Sequence, residues 1–425
     1  MAETLEFQET DYAEFFRIEN IAAAGGGEVA DPYPIWADLL AQAPVHKGSL
    51  GECMGLGPMP GTDALYVPGR SYFSVFGFAA ASDVFTRKND FSNEAYTEIG
   101  VKHFLGETML TMDGLSHRKY RNLVQSFFQP ERAETWWRTR VIDELVGDMM
   151  ASFEARESVD LNAELFARVP LHTVTTGFGF TAREGLDFHG HMLASAQAGE
   201  PVKALEARER AGRVLRDAIV ERQAKPREDL ISSLAHSDLE EDDGSTRKLT
   251  IEEIEAFCRL IVFGGSDTTW RQMGIALFAL LNHPDQLADL IADRSLMEAA
   301  ILESVRWYPQ PMFPRKAMRD CELHGVEIPA GAHLHLCLSA ANRDPSRWDR
   351  PDSFDIHRPF RRSLAFGAGA HSCLGQHVAR QELTVALNAL FDRFPNMRWD
   401  PSKPPPYLTG SLIQRGPGEL NVLLH

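Results

Sequence analysis

One ten-residue segment, Phe366–Gly375, constrains this chain more than any other stretch. Its sequence is FGAGAHSCLG, and its single cysteine, Cys373, precedes an apolar-periodic run over Val378–Leu390 that predicts a helix. The N-terminus of a helix favours an anion, so we expect Cys373 to be held as a thiolate. The three glycines of the segment let the backbone approach something flat and bulky. A thiolate offered to a planar ligand is what the iron of a haem needs as its axial partner.

Cys373 also has two plainer explanations. A lone cysteine is usually a small buried hydrophobic residue. A zinc site could be built from His371, Cys373 and His377, which stand close together in the sequence. Structural zinc usually takes four ligands in two paired sets, however, and no second pair follows.

The whole segment resembles the haem-binding signature of the cytochrome P450 family. That signature is Phe, two residues, Gly, one residue, a basic residue, one residue, Cys, one residue and Gly. The matching positions are Phe366, Gly369, His371, Cys373 and Gly375. The resemblance implies haem b as the cofactor, with Cys373 bound to the iron and with Phe366, Gly367 and Gly375 against the haem.

Composition limits the class of protein and its compartment. The chain has 425 residues, 44% of them hydrophobic, and a formal charge of −17, which argues against a general affinity for nucleic acid. Five scattered cysteines without a CxxC pair make a disulfide framework improbable and favour a cytoplasmic location. No secretory signal or membrane anchor is expected from the N-terminal residues. The acidic segment Asp238–Gly244 is interpreted as a solvated loop.

The predicted architecture is mainly α with a smaller β-rich part, and the resemblance implies the cytochrome P450 fold. We expect an N-terminal extension at residues 1–30 and one compact haem domain at residues 31–425. Thr250 and Glu253 form a capping box that begins a long helix, which extends to Asn282. Its middle, Gly264–Thr269, is rich in glycine and polar residues, so we expect a functional kink there.

The Gly264–Thr269 segment resembles the oxygen-activating motif of the P450 family. In that comparison Asp267 is the acid that relays protons from solvent, and Thr268 is the alcohol that holds an ordered water. The alternative is that the Thr268 hydroxyl only bonds back to a carbonyl of its own helix, as threonines in helices often do.

The resemblance assigns two further groups of residues. His117 and Arg121 share a helix face, which alone would indicate an ordinary solvated surface. The residues implied to bind the haem propionates are His117, Arg121, Arg315 and His371. The residues implied to form a buried structural network behind the haem are Glu303, Arg306 and Arg358.

The substrate pocket is the least constrained part of the prediction. Its candidate residues are Phe104, Met109, Leu110, Phe263, Gly264, Met312, Phe313 and Leu412. Most are apolar, so we expect a hydrophobic substrate, although ordinary core packing explains several of them equally well.

The predicted function is a haem-thiolate monooxygenase that inserts one oxygen atom of O2 into an organic substrate. No flavin or iron–sulfur segment is expected after the haem domain, so electrons must come from a separate ferredoxin-type protein. Its expected docking patch consists of Arg118, Lys119, Arg361 and Arg362. A peroxide-driven peroxygenase, a haem-thiolate isomerase or dehydratase, and a non-enzymatic haem sensor remain as alternatives.

Overall fold

The computed structural model describes residues 29–56, 66–197, 201–310 and 312–425. All but the last two residues of the extension predicted at 1–30 lie outside these ranges. The α-helices are α1 Tyr33–Gln42, α2 Leu50–Cys53, α3 Phe78–Thr86, α4 Glu94–Glu98, α5 Val101–Leu105, α6 Gly114–Gln125, α7 Pro130–Arg132, α8 Asp143–Phe153, α9 Arg168–Gly177, α10 Ala182–Gln197, α11 Pro201–Ala224, α12 Leu230–His236, α13 Ile251–Leu281, α14 Pro284–Ala292, α15 Met297–Trp307, α16 Leu338–Ala341 and α17 Gln376–Arg393.

Two π-helical segments and three 3-10 turns complete the helical part. They are the π-helices Ala133–Ile142 and Asn162–Phe166 and the 3-10 turns Ser126–Phe128, Arg294–Leu296 and Gly369–His371.

The strands are short and form five small sheets within the described ranges. They are β1 Val45–Lys47, β2 Tyr72–Val75, β3 Phe91–Ser92, β4 Ser158–Asp160, β5 Asp238–Glu240, β6 Thr246–Lys248, β7 Met312–Ala317, β8 Cys321–Leu323, β9 Val326–Ile328, β10 His333–Cys337, β11 Arg398–Trp399, β12 Leu408–Gly410, β13 Arg415–Pro417 and β14 Asn421–Leu423. The largest sheet has the order β1-β2-β10-β7-β3, in which β2 and β10 run parallel and the other pairs antiparallel. The predicted architecture, mainly α with a smaller β part, is confirmed.

Helix α13 is the central element of the helical part. Thr250 and Glu253 form the predicted capping box, and the helix has 31 residues. Its buried side chains join one large apolar cluster that also draws on α9, α15, α17 and the first π-helix. The cysteine segment lies directly before α17, which packs against α13, so the folded core fixes Cys373 relative to the middle of α13.

Helix α13 continues as an α-helix through Gly264–Thr269, so the helix is not interrupted there, and the kink expected at this segment stays a prediction. Of the two glycines in this segment, Gly264 and Gly265, helix packing explains Gly265. A Cβ at position 265 would lie 3.0 Å from a Val174 methyl on α9, so Gly265 allows the two helices to approach closely.

The acidic segment Asp238–Gly244 is not the simple solvated loop that its composition indicated. Asp238–Glu240 forms strand β5, which pairs with β6 as a hairpin. The exposed Asp242 at its turn lies 2.7 Å from Lys119 on α6. The hairpin therefore places the Asp242 carboxylate next to α6, whose side chains include His117, Arg118, Lys119 and Arg121.

The described part of the chain, residues 29–56, 66–197, 201–310 and 312–425, contains no helix with the length and apolarity needed to cross a bilayer.

Candidate active site

The cysteine segment is folded into a tight loop by its own backbone. The Cys373 amide donates to the Phe366 carbonyl at 2.8 Å. Gly367 and Gly369 adopt positive φ angles of 66° and 72°. A Cβ on Gly369 would lie 2.4 Å from the Phe85 carbonyl oxygen, so a larger residue is excluded there. These contacts fix the direction in which Cys373 leaves the loop.

Cys373 is accessible from outside the protein although many protein atoms surround it. Its side chain is exposed, yet burial among protein atoms raises the pKa of its thiol, while the amides of Gly375 and Gln376 and the guanidinium of Arg121 act to lower it. The amides at the helix N-terminus therefore lower the pKa of Cys373, as predicted, but burial has the larger effect. Coordination of a metal ion deprotonates such a thiol outright.

A group of polar side chains lies on α6 and on the loop before Cys373. The His117 and His371 rings are 4.0 Å apart between centroids. His371 contacts Asp113 (Nε2 to Oδ1, 3.1 Å) and Asn93 (Nδ1 to Nδ2, 3.0 Å). Asp113 occupies the N-cap position of α6 without a side-chain capping bond, and its carboxylate accepts bonds from His371, Ser92 and the Asn93 amide.

His117 and Arg121 have donors that no acceptor among the described residues uses. Burial lowers the pKa of His117 to about 4, with further contributions from the charges of His371 and Arg121. The Nε2 atom of His117 is buried and has no hydrogen-bond partner among the described residues. Arg121 is half-buried, and no carboxylate within the described ranges pairs with it. The unused donors of His117 and Arg121 could therefore receive a carboxylate ligand.

Arg315 lies on β7 and is buried. Burial lowers the pKa of its guanidinium, whereas its hydrogen bond with Tyr96 acts to raise it. It lies over the Phe85 ring at 5.0 Å, and its charge acts on both Asp113 and His371. The four predicted propionate ligands, His117, Arg121, Arg315 and His371, are thus brought into one neighbourhood, which we call the donor cluster.

The structure also brings together Glu303, Arg306 and Arg358. The Glu303 carboxylate accepts two bonds from Arg306 at 2.7 Å each and one from Arg358 at 3.1 Å. Arg306 additionally donates to the carbonyls of Asn342, Pro351 and Ser353. All three charged side chains are buried, with side-chain exposures of 5%, 2% and 9%.

This network is connected to the cysteine loop. Arg306 binds the Asn342 carbonyl at 3.0 Å, and the Asn342 side chain accepts from the Leu364 amide at 2.8 Å. The Leu364 carbonyl in turn accepts from the Gly367 amide at 2.8 Å. A continuous series of hydrogen bonds therefore connects Arg306 to Gly367 in the cysteine loop, which supports the role predicted for the network.

Thr268 and Asp267 point to different partners on α13. The Thr268 hydroxyl donates to the Gly264 carbonyl at 2.9 Å, which is the back-bonded arrangement considered as the alternative. The Thr268 side chain is nevertheless exposed, so its oxygen lone pairs stay free to accept from a water. Phe263 is 45% exposed on the same stretch of helix.

Asp267 is bound by several donors that the sequence did not indicate as partners. Its carboxylate accepts from Trp270 at 3.2 Å, from Arg271 at 3.3 and 3.5 Å, and from the side-chain amide of Gln414. Arg271 follows Asp267 by four residues, so helix periodicity could have found it. Gln414 comes from the loop between β12 and β13, and no local signal relates it to Asp267.

The candidate pocket residues fall into separate groups. Phe104 and Phe263 contact each other edge-to-face, with ring centroids 6.0 Å apart. Met312 and Leu412 are buried together in a cluster with Ile275, and Met109 is buried in the large helical core. The remaining candidates are Leu110, whose carbonyl accepts from Asn93, Phe313, which packs against the large sheet, and Gly264, which is exposed. Their role in binding a substrate stays a prediction.

The residues present fit a haem and do not fit zinc. The soft sulfur ligand of Cys373 is accessible, and the adjacent donor cluster contains a buried nitrogen and a guanidinium that lack acceptors among the described residues. No group of three or more His, Cys, Asp or Glu side chains in that part of the chain is arranged to hold a metal ion, so the set His371, Cys373 and His377 does not form a zinc site.

Comparison with known proteins agrees with this geometry. The family profile described as Cytochrome P450 matches residues 203–422, just over half of the chain. The cytochrome P450 monooxygenase PikC of Streptomyces venezuelae is 31% identical over 392 residues, which cover 90% of this chain and 88% of that enzyme. The chain belongs to the cytochrome P450 family. This P450 is accordingly an oxidoreductase of the haem-thiolate monooxygenase type.

Solved structures share the fold of this P450. The hydroxylase HmtN, involved in himastatin biosynthesis, superposes with a TM-score of 0.72 at 29% identity, covering 83% of this chain and 91% of that one. CYP109E1 of Bacillus megaterium, solved in complex with testosterone, has a TM-score of 0.78 at 24% identity and covers 93% of this chain and 100% of that one. The predicted P450 fold is confirmed.

Proposed function

We propose that this P450 inserts one oxygen atom from O2 into a hydrophobic organic substrate, with two electrons supplied by a separate ferredoxin-type protein. The observation that carries the proposal is the accessible Cys373 sulfur beside His117 and Arg121, whose donors lack acceptors among the described residues. A sulfur ligand next to carboxylate-binding donors suits a porphyrin that carries propionates. We infer that the porphyrin is haem b.

Each part of the site has a distinct task in this proposal. When bound, the haem supplies dioxygen activation at its iron, which the thiolate of Cys373 assists by donating electron density. Phe366, Gly367 and Gly375 would hold the haem beside Cys373. The donor cluster would bind the propionates and thereby orient the cofactor.

Asp267 and Thr268 handle protons. The Thr268 hydroxyl donates its hydrogen bond to the Gly264 carbonyl. Its oxygen is therefore oriented to accept a hydrogen bond from water or substrate. The Asp267 carboxylate is 27% exposed on the adjoining helix position and can take up a proton from solvent. Together they provide an acceptor and a proton source on one turn of α13.

The substrate that we propose is hydrophobic, of the terpenoid, steroid, aromatic or fatty acyl kind. Support comes from the edge-to-face pair of Phe104 and Phe263, the latter being a large apolar side chain that is 45% exposed on α13. HmtN is a hydroxylase of a biosynthetic pathway and CYP109E1 binds testosterone, both compatible with a large organic ligand here.

The electron donor that we propose docks on the patch defined by Arg118, Lys119, Arg361 and Arg362. Arg118, Arg361 and Arg362 are exposed, whereas Lys119 is 16% exposed and paired with Asp242. We therefore assign the attraction for an acidic ferredoxin to the arginines. We also retain the cytoplasmic location as a proposal, supported by five cysteines that are all free.

Charge reversal tests the docking patch. Arg118→Glu and Arg362→Glu should slow reduction by a ferredoxin and make its rate less dependent on salt, because steering by opposite charge is lost. Arg398→Glu, on β11, is the matched control and should leave the rate unchanged. Identical reduction kinetics in all four proteins would refute this docking site.

An optical experiment tests the activity itself. The reduced, carbon-monoxide-treated protein should show the strongly red-shifted Soret band of thiolate-ligated haem, and Cys373→Ser should abolish it. Titrating the ferric protein with a terpenoid, a steroid, an aromatic and a fatty acid should give a low-spin to high-spin shift with one class. Product formation that requires neither reductant nor peroxide would instead indicate an isomerase or dehydratase, and product formed with peroxide alone would indicate a peroxygenase.

A further inference from the structure

Gln414 makes a contact that ties the C-terminal loop to the acid on α13. Its side-chain amide donates to Oδ2 of Asp267, and its Oε1 atom accepts from Nη2 of Arg271 at 3.4 Å. One side chain thus binds both members of the Asp267–Arg271 ion pair. The two residues that it bridges lie one helical turn apart.

The ion pair cannot rearrange freely. Arg271 is fully buried, its guanidinium lies over the Trp270 ring at 4.7 Å, and its Nη1 atom has no partner in the described part of the chain. A Cβ on Gly416 would lie 3.3 Å from the Arg271 side chain, so strand β13 also closes against it. Because Arg271 is fixed, the orientation of the Asp267 carboxylate depends on its other donors, Trp270 and Gln414.

The backbone that carries Gln414 is itself held firmly. Its amide and that of Ile413 both donate to the Ser411 hydroxyl at 3.1 Å, and its carbonyl accepts from the Ser411 amide at 2.9 Å. Gly410 before this turn has a φ of 131°, and a Cβ there would lie 2.3 Å from the Gln414 carbonyl oxygen. Gln414 therefore has a fixed base from which to orient a carboxylate.

We propose that Gln414 is a positioning residue for proton delivery, holding the Asp267 carboxylate in the orientation from which it serves the Thr268 side of α13. The proposal rests on the proposed monooxygenase function. Gln414 acts through Asp267 and Arg271 and does not touch the substrate. Without its amide, the hydrogen bonds to Asp267 that remain among those described come from Trp270 and Arg271 on its own helix, and the carboxylate can rotate toward Arg271.

The partition of electrons reports proton delivery directly. Reduction of O2 to hydrogen peroxide consumes two electrons and two protons, whereas reduction of O2 to two waters consumes four electrons and four protons. Poor proton delivery to the bound oxygen shifts the balance from water toward peroxide. The fraction of NADPH electrons recovered as peroxide is a ratio, so it does not depend on how much protein is active.

The contact is tested first, on the haem-loaded protein. Thermal midpoints of the wild type, Asp267→Asn, Gln414→Leu and the double variant form a double-mutant cycle. We expect non-additivity of at least about 1 °C, because each single variant already breaks the shared bond. Additive midpoints would show that the contact is not made and would overturn the proposal whether or not the protein is a monooxygenase.

Turnover is tested next, with air-saturated buffer, NADPH, and a surrogate ferredoxin with its reductase. The share of electrons that ends in water should fall at least twofold in Gln414→Leu and in the isosteric Gln414→Glu, which keeps the acceptor for Arg271 but loses the donor to Asp267. Gln310→Leu, which removes a 3.4 Å bond to the Arg415 carbonyl, is the matched control and should behave as the wild type.

The outcomes separate the two hypotheses. If the fraction of electrons that ends in water equals or exceeds the wild-type fraction in either Gln414 variant, the positioning role is overturned. A wild-type protein that binds haem but accepts no electrons from the donor pair would contradict the proposed function instead, and the thermal cycle would still decide whether Gln414 orients Asp267.

Discussion

Replacement of Glu303 by glutamine tests whether the buried Glu303–Arg306–Arg358 network holds the cysteine loop. The carboxylate accepts two bonds from Arg306, one from Arg358 and one from the Asp355 amide at 3.0 Å. Glutamine has the same size, but it carries no charge and turns an NH2 group toward donors. Two guanidinium groups would then lie buried without a counter-charge.

The expected cost follows from that burial. Breaking a buried ion pair by removing one partner costs about 3–5 kcal/mol. With an unfolding entropy of about 2.1 cal/mol/K per residue, a chain of this length should lose roughly 3–6 °C in thermal midpoint. Because the network is connected through Asn342 to the cysteine loop, the variant should also retain less haem per protein.

Glu298→Gln is the matched control on the same helix. Glu298 is 65% exposed and pairs with a partly exposed Arg380, so its loss should cost less than about 1 kcal/mol. The assay compares thermal midpoint by circular dichroism with haem content by absorbance for both variants. Equal midpoints for Glu303→Gln and Glu298→Gln, with full haem retention, would refute the reasoning.

Three further predictions concern the loop, the alcohol and a buried acid. Gly369→Ala should lower the thermal midpoint, since its Cβ would lie 2.4 Å from a backbone oxygen, while Gly375→Ala, whose Cβ meets nothing within 4 Å, should leave folding intact and disturb only the haem absorption spectrum. Thr268→Ala should raise the peroxide released per NADPH consumed, and a fully coupled variant would rule out the assigned role. Burial raises the pKa of Glu382 to about 8 from an ordinary 4.5, and the nearby Thr173 side chain acts in the opposite direction. The folded state therefore keeps a proton that the unfolded state releases, so this contribution to stability falls as pH rises from about 4.5 to 8. At about 1.4 kcal/mol per pKa unit, Glu382→Gln should melt several degrees above the wild type at pH 9 but not at pH 4.5, and an equal difference at both pH values would contradict the shift.

Local features of the sequence were enough to predict the helices that carry the site and one of its ion pairs. The capping box of Thr250 and Glu253 and the helix after Cys373 depend on residues three or four apart, and the structure contains both. The Glu303–Arg306 pair is equally local, at i and i+3 on α15. The family resemblance supplied the more distant member, Arg358, whose contact with Glu303 spans 55 residues.

The rest depended on tertiary contacts that no short window contains. The glycine-rich middle of α13 indicated a kink, yet Gly265 serves the close approach of Val174 from α9. Gln414 binds Asp267 across 147 residues. The thiol of Cys373 was expected to ionise at a helix N-terminus, but desolvation, which a sequence does not display, outweighs the dipole. Propensity and spacing describe neighbours along the chain, and these outcomes were decided by neighbours in space.

The parallel pairing of β2 with β10 has a consequence for synthesis. Tyr72 pairs with His333, so about 260 further residues must leave the ribosome before β2 meets this partner. At about 5–20 residues per second, that interval is on the order of 10–50 s. During it the apolar side chains of β2 lack the cover of β10 and are open to aggregation or to chaperones. Because Cys373 is synthesised later still, the nascent chain can capture its cofactor through the cysteine only near the end of translation, when all five strands of the largest sheet have been made.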